Sequence, residues 1–269
     1  MRSLTIWLLV SIWLMGCGQS TESLVVTGSS TIAPVMQEVA EVYERDTDLR
    51  VDVQSGGSGR GIQDALSGMA HLGMASRDLK EDERSAGLIS HVIAYDGIVL
   101  IVHRDNPLTA LDSERVRAIY TGQQSDWEAF GGHGPITVIN KAEGRATLDL
   151  FLEYFGLDNR DIHADLVAGE NQQVLKAVAS DPNAIGYLSI GTAEYEAEQG
   201  AAIRLVRLDG HQPSVDALRR GEYPLSRQLN LVTAGKPSDS VQQLLDYVYS
   251  EPMAKVIESH YFVPARRDL

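Results

Sequence analysis

The stretch LVVTGSSTIAPVMQEVAEVYE, residues 24–44, contains the pattern that decides the fold. Leu24 to Thr27 is a short β-rich run, and the turn Gly-Ser-Ser-Thr, residues 28–31, follows it. From Ile32 onward the apolar residues recur at helical spacing, which predicts a helix with the hydroxyl side chains at its N-terminus. The stretch therefore predicts a strand, a small-residue loop and a helix in succession.

Similar successions follow along the chain. A second predicted strand, residues 51–53, leads into the glycine-rich loop 55–61 and another helix. A third strand, 71–75, ends in Ser-Arg-Asp, residues 76–78. Such alternation predicts an α/β lobe with a mostly parallel sheet, in which ligands gather at the carboxyl ends of the strands. We expect all three loops to lie at that edge.

The pattern appears a fourth time further along, which predicts a second lobe. A strand over residues 136–139 precedes the loop 140–147, and an amphipathic helix then continues through Phe155. Two β-type runs, broken at Tyr95 and Asp96, predict the crossing between the lobes. We expect one lobe to comprise residues 23–95 plus 210–269, and the other to comprise residues 96–209.

The N-terminus carries a targeting signal. Arg2 precedes an apolar run, residues 6–14, that is too short for a membrane span and suits a secretory signal peptide over residues 1–16. The run ends in Leu-Met-Gly-Cys, which resembles the bacterial lipobox, and a polar tether follows over residues 17–23. Cys17, the single cysteine in the chain, is therefore predicted to carry a lipid that anchors the exported protein to a bacterial membrane, on the periplasmic side or at the cell surface.

Composition excludes several classes of function. The net charge of −14 opposes non-specific binding to nucleic acid, because phosphate backbones require clustered lysine and arginine. One cysteine permits no internal disulfide, and the seven histidines form no zinc-binding pattern. An anion would have to be held by local groups, meaning backbone N–H donors, hydroxyls and a few cations.

Four short motifs, taken in order, carry a family resemblance. They are TGSSTIAP at 27–34, GGSGRGI at 56–62, ASRDLK at 75–80 and KAEGRAT at 141–147. Together they resemble the periplasmic phosphate-binding proteins of ABC transporters. The resemblance implies an α/β, type II periplasmic-binding-protein fold with two lobes, each a mixed sheet flanked by helices. It further implies a monomer without cofactor or metal that closes on inorganic phosphate at its hinge and delivers it to a permease.

The resemblance also implies an oxyanion site, which we carry over motif by motif. The first loop supplies hydroxyl and N–H donors, the second a serine hydroxyl, and the fourth a cation at a helix N-terminus. The candidate residues are Ser29, Ser30, Thr31, Ser58, Gly59, Ser76, Arg77, Lys141, Arg145, Ala146 and Thr147.

This chain departs from the family pattern in two loops. Many relatives have an aspartate in the third loop, where Ser76 falls here, and their fourth motif reads Arg-x-x-Gly-Ser-Gly-Thr. Lys141 therefore stands where relatives have arginine, and a lysine lacks the bidentate fork of that residue. We expect the cation role to pass from Lys141 to Arg145. A surface or inter-lobe ion pair is the alternative role for both Arg77 and Arg145.

Three other functions stay open at this level. The missing aspartate favours another oxyanion, such as sulfate, molybdate or tungstate. The same fold also serves as a surface sensor or adhesin. An enzyme, for example a phosphatase, is the weakest alternative, because Ser58 lies in no Gly-x-Ser-x-Gly elbow and no partner histidine is indicated.

Overall fold

The computed structural model describes residues 23–47 and 49–266. Its first part alternates strands and helices as the sequence predicts. These elements are β1 (Ser23–Gly28), α1 (Ala33–Asp46), β2 (Arg50–Ser55), α2 (Ser58–Leu66), β3 (Leu72–Ala75) and α3 (Glu81–Ser85).

A long strand, β4 (Leu88–His103), then leads into a second group of elements. They are β5 (Ala110–Leu111), α4 (Ser113–Tyr120), β6 (Thr137–Lys141), α5 (Ala146–Phe155), β7 (Leu166–Ala168), α6 (Asn171–Ser180), β8 (Ala184–Ser189), α7 (Ile190–Glu198), β9 (Ile203–Leu205), β10 (Arg207–Leu208) and α8 (Val215–Arg219). The chain finally returns through β11 (Ser226–Ala234), α9 (Asp239–Val248), α10 (Glu251–Ser259) and β12 (Val263–Pro264).

The lobes share one hydrogen-bonded sheet whose order is β2-β1-β3-β11-β4-β8-β6-β7. The first half of β4 pairs antiparallel with β11, and its second half pairs antiparallel with β8. The predicted break at Tyr95 and Asp96 is wrong, because both residues pair with β11 inside the continuous strand. The crossing between lobes is thus a strand held by neighbours on both sides, which fixes the side chains at the crossing.

Two large apolar cores confirm the predicted two-lobed α/β class. One core packs α1, α9 and α10 against β1, β3 and β11, and the other packs α5 and α6 against β4, β6 and β8. Val215, Leu218 and Leu225 belong to the second core, although residues 210–225 were expected in the first lobe. The chain therefore returns to the first lobe at β11, about fifteen residues later than the sequence suggested.

Parallel pairing brings the predicted loops to one edge. Strands β2 and β3 pair with β1 on either side, all three parallel, so the loops after them emerge together. Helix α2 lies directly on β1 and β3 at Gly61, where a Cβ would come within 2.5 Å of the Thr27 carbonyl oxygen. This contact therefore requires glycine. The close approach of α2 to the sheet places its N-terminus beside that of α1.

Two further sequence expectations concern the ends of the chain. Among residues 23–47 and 49–266, no helix has the length and apolar character of a membrane span. The predicted signal peptide (1–16), the lipidated Cys17 and nearly all of the tether (17–23) lie outside the described residues.

Candidate oxyanion-binding site

Three helix N-termini meet between the lobes. Helices α1 and α2 come from the first lobe and α5 comes from the second. The first N–H groups of a helix have no partner within it, so these ends present donors and partial positive charge. They surround a small pocket, here called the hydroxyl cavity, which is lined by Ser29, Ser30, Thr31, Gly57, Ser58, Ser76, Lys141, Arg145, Ala146 and Thr147.

The structure brings the predicted site residues together, with the exceptions of Gly59 and Arg77. The N–H of Gly59 donates to the carbonyl oxygen of Gly144 at 3.0 Å, so this donor joins the lobes and does not face the cavity. Arg77 points into a larger inter-lobe cleft beside the hydroxyl cavity. Whether the lining residues bind an anion stays a prediction.

Hydroxyl groups of the first lobe form a buried hydrogen-bond network. Ser29 Oγ donates to Ser76 Oγ at 3.0 Å and accepts from the N–H of Thr31 at 3.2 Å. Ser58 Oγ accepts from the N–H of Ser76 at 3.0 Å. The acceptor sites of Ser29 and Ser58 are thus engaged within the protein, and the three loops are held in one arrangement.

Arg227, on β11, is the site residue that the sequence reasoning missed. Its Nη1 donates to Thr147 Oγ1 at 2.9 Å and to Ser76 Oγ at 3.4 Å. Its Nη2 donates to Thr31 Oγ1 at 3.1 Å. One guanidinium therefore contacts hydroxyls from both lobes, and it does so from behind the residues that line the hydroxyl cavity.

Asp96 holds this guanidinium in place. Asp96 Oδ2 accepts from Arg227 Nε at 3.1 Å and from Nη2 at 2.8 Å, while Oδ1 accepts from the N–H of Gly191 at 3.3 Å. Both side chains are almost fully buried, at 2% and 0% exposure. Removing one partner of such a pair costs about 3–5 kcal/mol, because the other charge is left buried without compensation.

The contacts of Arg227 determine the hydrogen-bonding roles of the Thr31 and Thr147 hydroxyls. Thr31 Oγ1 accepts from Arg227 and from Asn171 Nδ2, the latter at 3.2 Å. Thr147 Oγ1 also accepts from Arg227. A hydroxyl that accepts in this way still has one O–H to donate. Both threonines can therefore act as hydrogen-bond donors toward the cavity.

Lys141 is buried at the end of β6, with 2% of its surface exposed. Its Nζ donates to Asn171 Oδ1 at 3.1 Å. Burial lowers the pKa of Lys141 to about 7, the positive charge of Arg227 and more weakly that of Arg145 act in the same direction, and Glu170 opposes them. The ammonium is thus poorly compensated by the protein, and a nearby anion would stabilise it.

The expected transfer of the cation role from Lys141 to Arg145 stays a prediction, and Arg145 does line the hydroxyl cavity. Arg145 Nη1 donates to Glu170 Oε1 at 2.7 Å, and this pair is partly exposed at the rim. Glu170 Oε2 also accepts from Ser55 Oγ of the first lobe at 2.9 Å. Arg145 thus lines the hydroxyl cavity and also forms an ion pair, whereas Lys141 and Arg227 are the deeply buried cations.

Arg77, also predicted as a ligand, lies outside the hydroxyl cavity, where its guanidinium pairs with carboxylates. It makes two hydrogen bonds with Glu83, at 2.8 and 2.7 Å, and lies 3.3 Å from Asp149 across the cleft. These contacts favour the ion-pair role for Arg77, with Glu83 in its own lobe and Asp149 in the other. The third loop contributes Ser76 alone to the cavity.

Sequence signals for the missed residues were weak. Arg227 lies just before the β-type run 229–233, and one charge beside such a run is normally interpreted as a surface position. Asn171 belongs to none of the four motifs; it begins α6 and is buried between Lys141 and Thr31. Among the described residues no group of His, Cys, Asp and Glu could hold a metal ion.

Fold and site together define a two-lobed binding protein of the α/β class. A family model described as a PBP superfamily domain matches residues 17–252. The chain therefore belongs to the PBP superfamily, the superfamily of periplasmic binding proteins.

Named relatives and a solved structure are similar over most of the chain. The phosphate-binding protein PstS of Bacillus subtilis is 26% identical over 251 residues, which cover 91% of this chain and 82% of that protein. PstS of Borreliella burgdorferi is 25% identical, with 96% of each chain covered. A structure from Clostridium perfringens with bound phosphate, assigned to a phosphate ABC transporter as its substrate-binding protein, has a TM-score of 0.84 and 29% identity, and covers 91% of this chain and 100% of that one.

Replacing Arg227 tests its role in the site. We expect Arg227→Lys to fold, because the charge opposite Asp96 is kept, but to bind phosphate about 30-fold more weakly. A lysine cannot reach Thr31, Ser76 and Thr147 at once, and the loss of two oriented donors corresponds to about 2 kcal/mol. Calorimetric titration measures the change. The exposed neighbour Ser226 provides the control Ser226→Ala, which should bind as the unmodified protein does, and equal affinity in Arg227→Lys would contradict the assigned role.

Proposed function

We propose that this chain is an extracytoplasmic solute-binding protein that captures inorganic phosphate and delivers it to an ABC transporter. The observation that carries the proposal is the hydroxyl cavity, whose hydroxyl, N–H and cationic groups come from both lobes and converge on one small pocket. The relatives named above support phosphate as the ligand, since they are named as phosphate-binding proteins. They are binding proteins rather than enzymes, which agrees with the sequence expectation.

Binding would exchange the hydration shell of the anion for protein donors. Thr31 and Ser58 present hydroxyls from the first lobe, and Thr147 and the N–H of Ala146 present donors from the second. Lys141 and Arg227 offset the charge at close range. A dry anion requires many short, charge-assisted contacts, so both lobes must close before all of them are made.

Export, lipid anchoring at Cys17 and a monomeric state complete the proposal. Export and lipid anchoring rest on the signal-like segment, the lipobox resemblance and the polar tether of the sequence, and the monomeric state rests on the family resemblance. A tether of this kind would keep the lobes near the membrane while leaving them free to meet a permease.

A second candidate is a binding protein for another oxyanion, and one observation favours it. No carboxylate is among the described residues that line the hydroxyl cavity. Phosphate at neutral pH retains a proton and gains from an acceptor in its site, whereas sulfate carries none. Asp96 does not act as the acceptor for this proton, because its oxygens already accept hydrogen bonds from Arg227 and Gly191.

Titration of the purified protein with phosphate, sulfate, molybdate and tungstate separates the two candidates. We expect phosphate to give the highest affinity, with heats that fit one site per chain. Tight binding of another anion together with no phosphate heat would reject phosphate and leave the scaffold intact.

The pKa of Lys141 predicts a pH dependence for this binding. In the free protein Lys141 loses its proton as the pH rises through about 7, whereas a bound anion would hold that proton and raise the pKa. The complex therefore takes up a proton above pH 7, and affinity should fall by up to about tenfold per pH unit there.

Calorimetry at pH 8 in buffers with different ionisation enthalpies measures this proton uptake. The matched control is Lys141→Arg, which keeps a charge that does not titrate and leaves only the protons of phosphate itself. Equal proton uptake by the unmodified protein and by Lys141→Arg would show that Lys141 does not titrate with binding.

A further inference from the structure

Arg77 and Asp149 face each other across the cleft between the lobes. Arg77 follows β3 in the first lobe, and Asp149 lies in the first turn of α5 in the second. Arg77 Nε lies 3.3 Å from Asp149 Oδ2. Neither residue lines the hydroxyl cavity; both line the larger cleft on its other side, beyond Arg227.

Arg77 is held in position by its own lobe. Its two terminal nitrogens donate to the carboxylate of Glu83, and Nη1 also donates to the carbonyl oxygen of Asp78 at 2.8 Å. The backbone carbonyl of Arg77 accepts from Asn230 Nδ2 at 2.9 Å. These partners all belong to the first lobe, so separation of the lobes would leave the guanidinium in place. Among the described residues, its Nε makes no hydrogen bond and has only the ion-pair contact with Asp149.

Asp149 is likewise tied to the site by its helix. It lies two residues beyond Thr147, whose hydroxyl accepts from Arg227, and its charge is favoured in the first turn of α5. The movement that brings Thr147 to the cavity must therefore also bring Asp149 to Arg77. Arg77 is 13% exposed and Asp149 39% exposed, which leaves their attraction partly screened by water.

We propose that Arg77 and Asp149 are positioning residues that set anion affinity by stabilising the closed arrangement of the lobes without touching the anion. The inference rests on the proposed function, since it assumes that closure accompanies anion binding. When closure is needed for tight binding, the apparent affinity scales with the stability of the closed state. A partly exposed charge pair should change that affinity by about threefold to fivefold.

The test compares Asp149→Asn with Glu153→Gln. Glu153 lies one turn further along α5, is exposed and lines the same cleft, so the control removes an equal charge from nearly the same place. We expect Asp149→Asn to bind phosphate about threefold to fivefold more weakly, through faster dissociation with an unchanged association rate. Added salt should reduce the difference from the unmodified protein, while Glu153→Gln should match that protein throughout.

Equal affinity and equal dissociation rates in Asp149→Asn and Glu153→Gln would overturn the inference while leaving the proposed function standing. If the unmodified protein binds neither phosphate nor the other oxyanions, the proposed function itself fails. In that case small-angle X-ray scattering can still test whether Arg77 and Asp149 hold the lobes together. A larger radius of gyration in Asp149→Asn than in Glu153→Gln would support lobe closure by the pair, and identical scattering would reject it.

Discussion

The buried pair between Arg227 and Asp96 is the interaction on which the rest of the structure depends. Asp96 lies in β4 at the crossing between the lobes, and Arg227 faces it from the neighbouring strand β11. Because the carboxylate fixes Nε and Nη2, the remaining N–H groups reach Thr31 and Ser76 on one side and Thr147 on the other. One desolvated charge pair therefore orients the hydroxyls of both lobes.

This arrangement explains how an acidic protein can hold an anion. The chain carries a net charge of −14, so its overall field repels anions and attraction must come from groups near the cavity. Helix N-termini, oriented hydroxyls and the two deeply buried cations Lys141 and Arg227 supply it. Asp96 and Glu170 balance Arg227 and Arg145, which leaves Lys141 as the charge most sensitive to a ligand.

Local patterns predicted the loops that build the cavity but not the residues that connect them. The strand-loop-helix successions at residues 24–44 and 51–61 are short-range signals, and the parallel pairing of β1 with β2 brings their loops together as expected. Arg227 lies 131 residues from Asp96, and Arg145 meets Glu170 only in the folded chain, so neither pairing can be read from local sequence. The lobe boundary was misplaced for a similar reason, because the apolar side chains of residues 215–225 fit either core by composition and tertiary packing decides.

A crystal structure of the protein with phosphate is the most direct test of this arrangement. We expect one anion in the hydroxyl cavity, within hydrogen-bond distance of Thr31, Ser58, Thr147 and Lys141 Nζ, with Arg227 still paired to Asp96 behind the threonines. Phosphate bound elsewhere, or an Arg227 that leaves Asp96 to contact the anion in place of the hydroxyls, would contradict it.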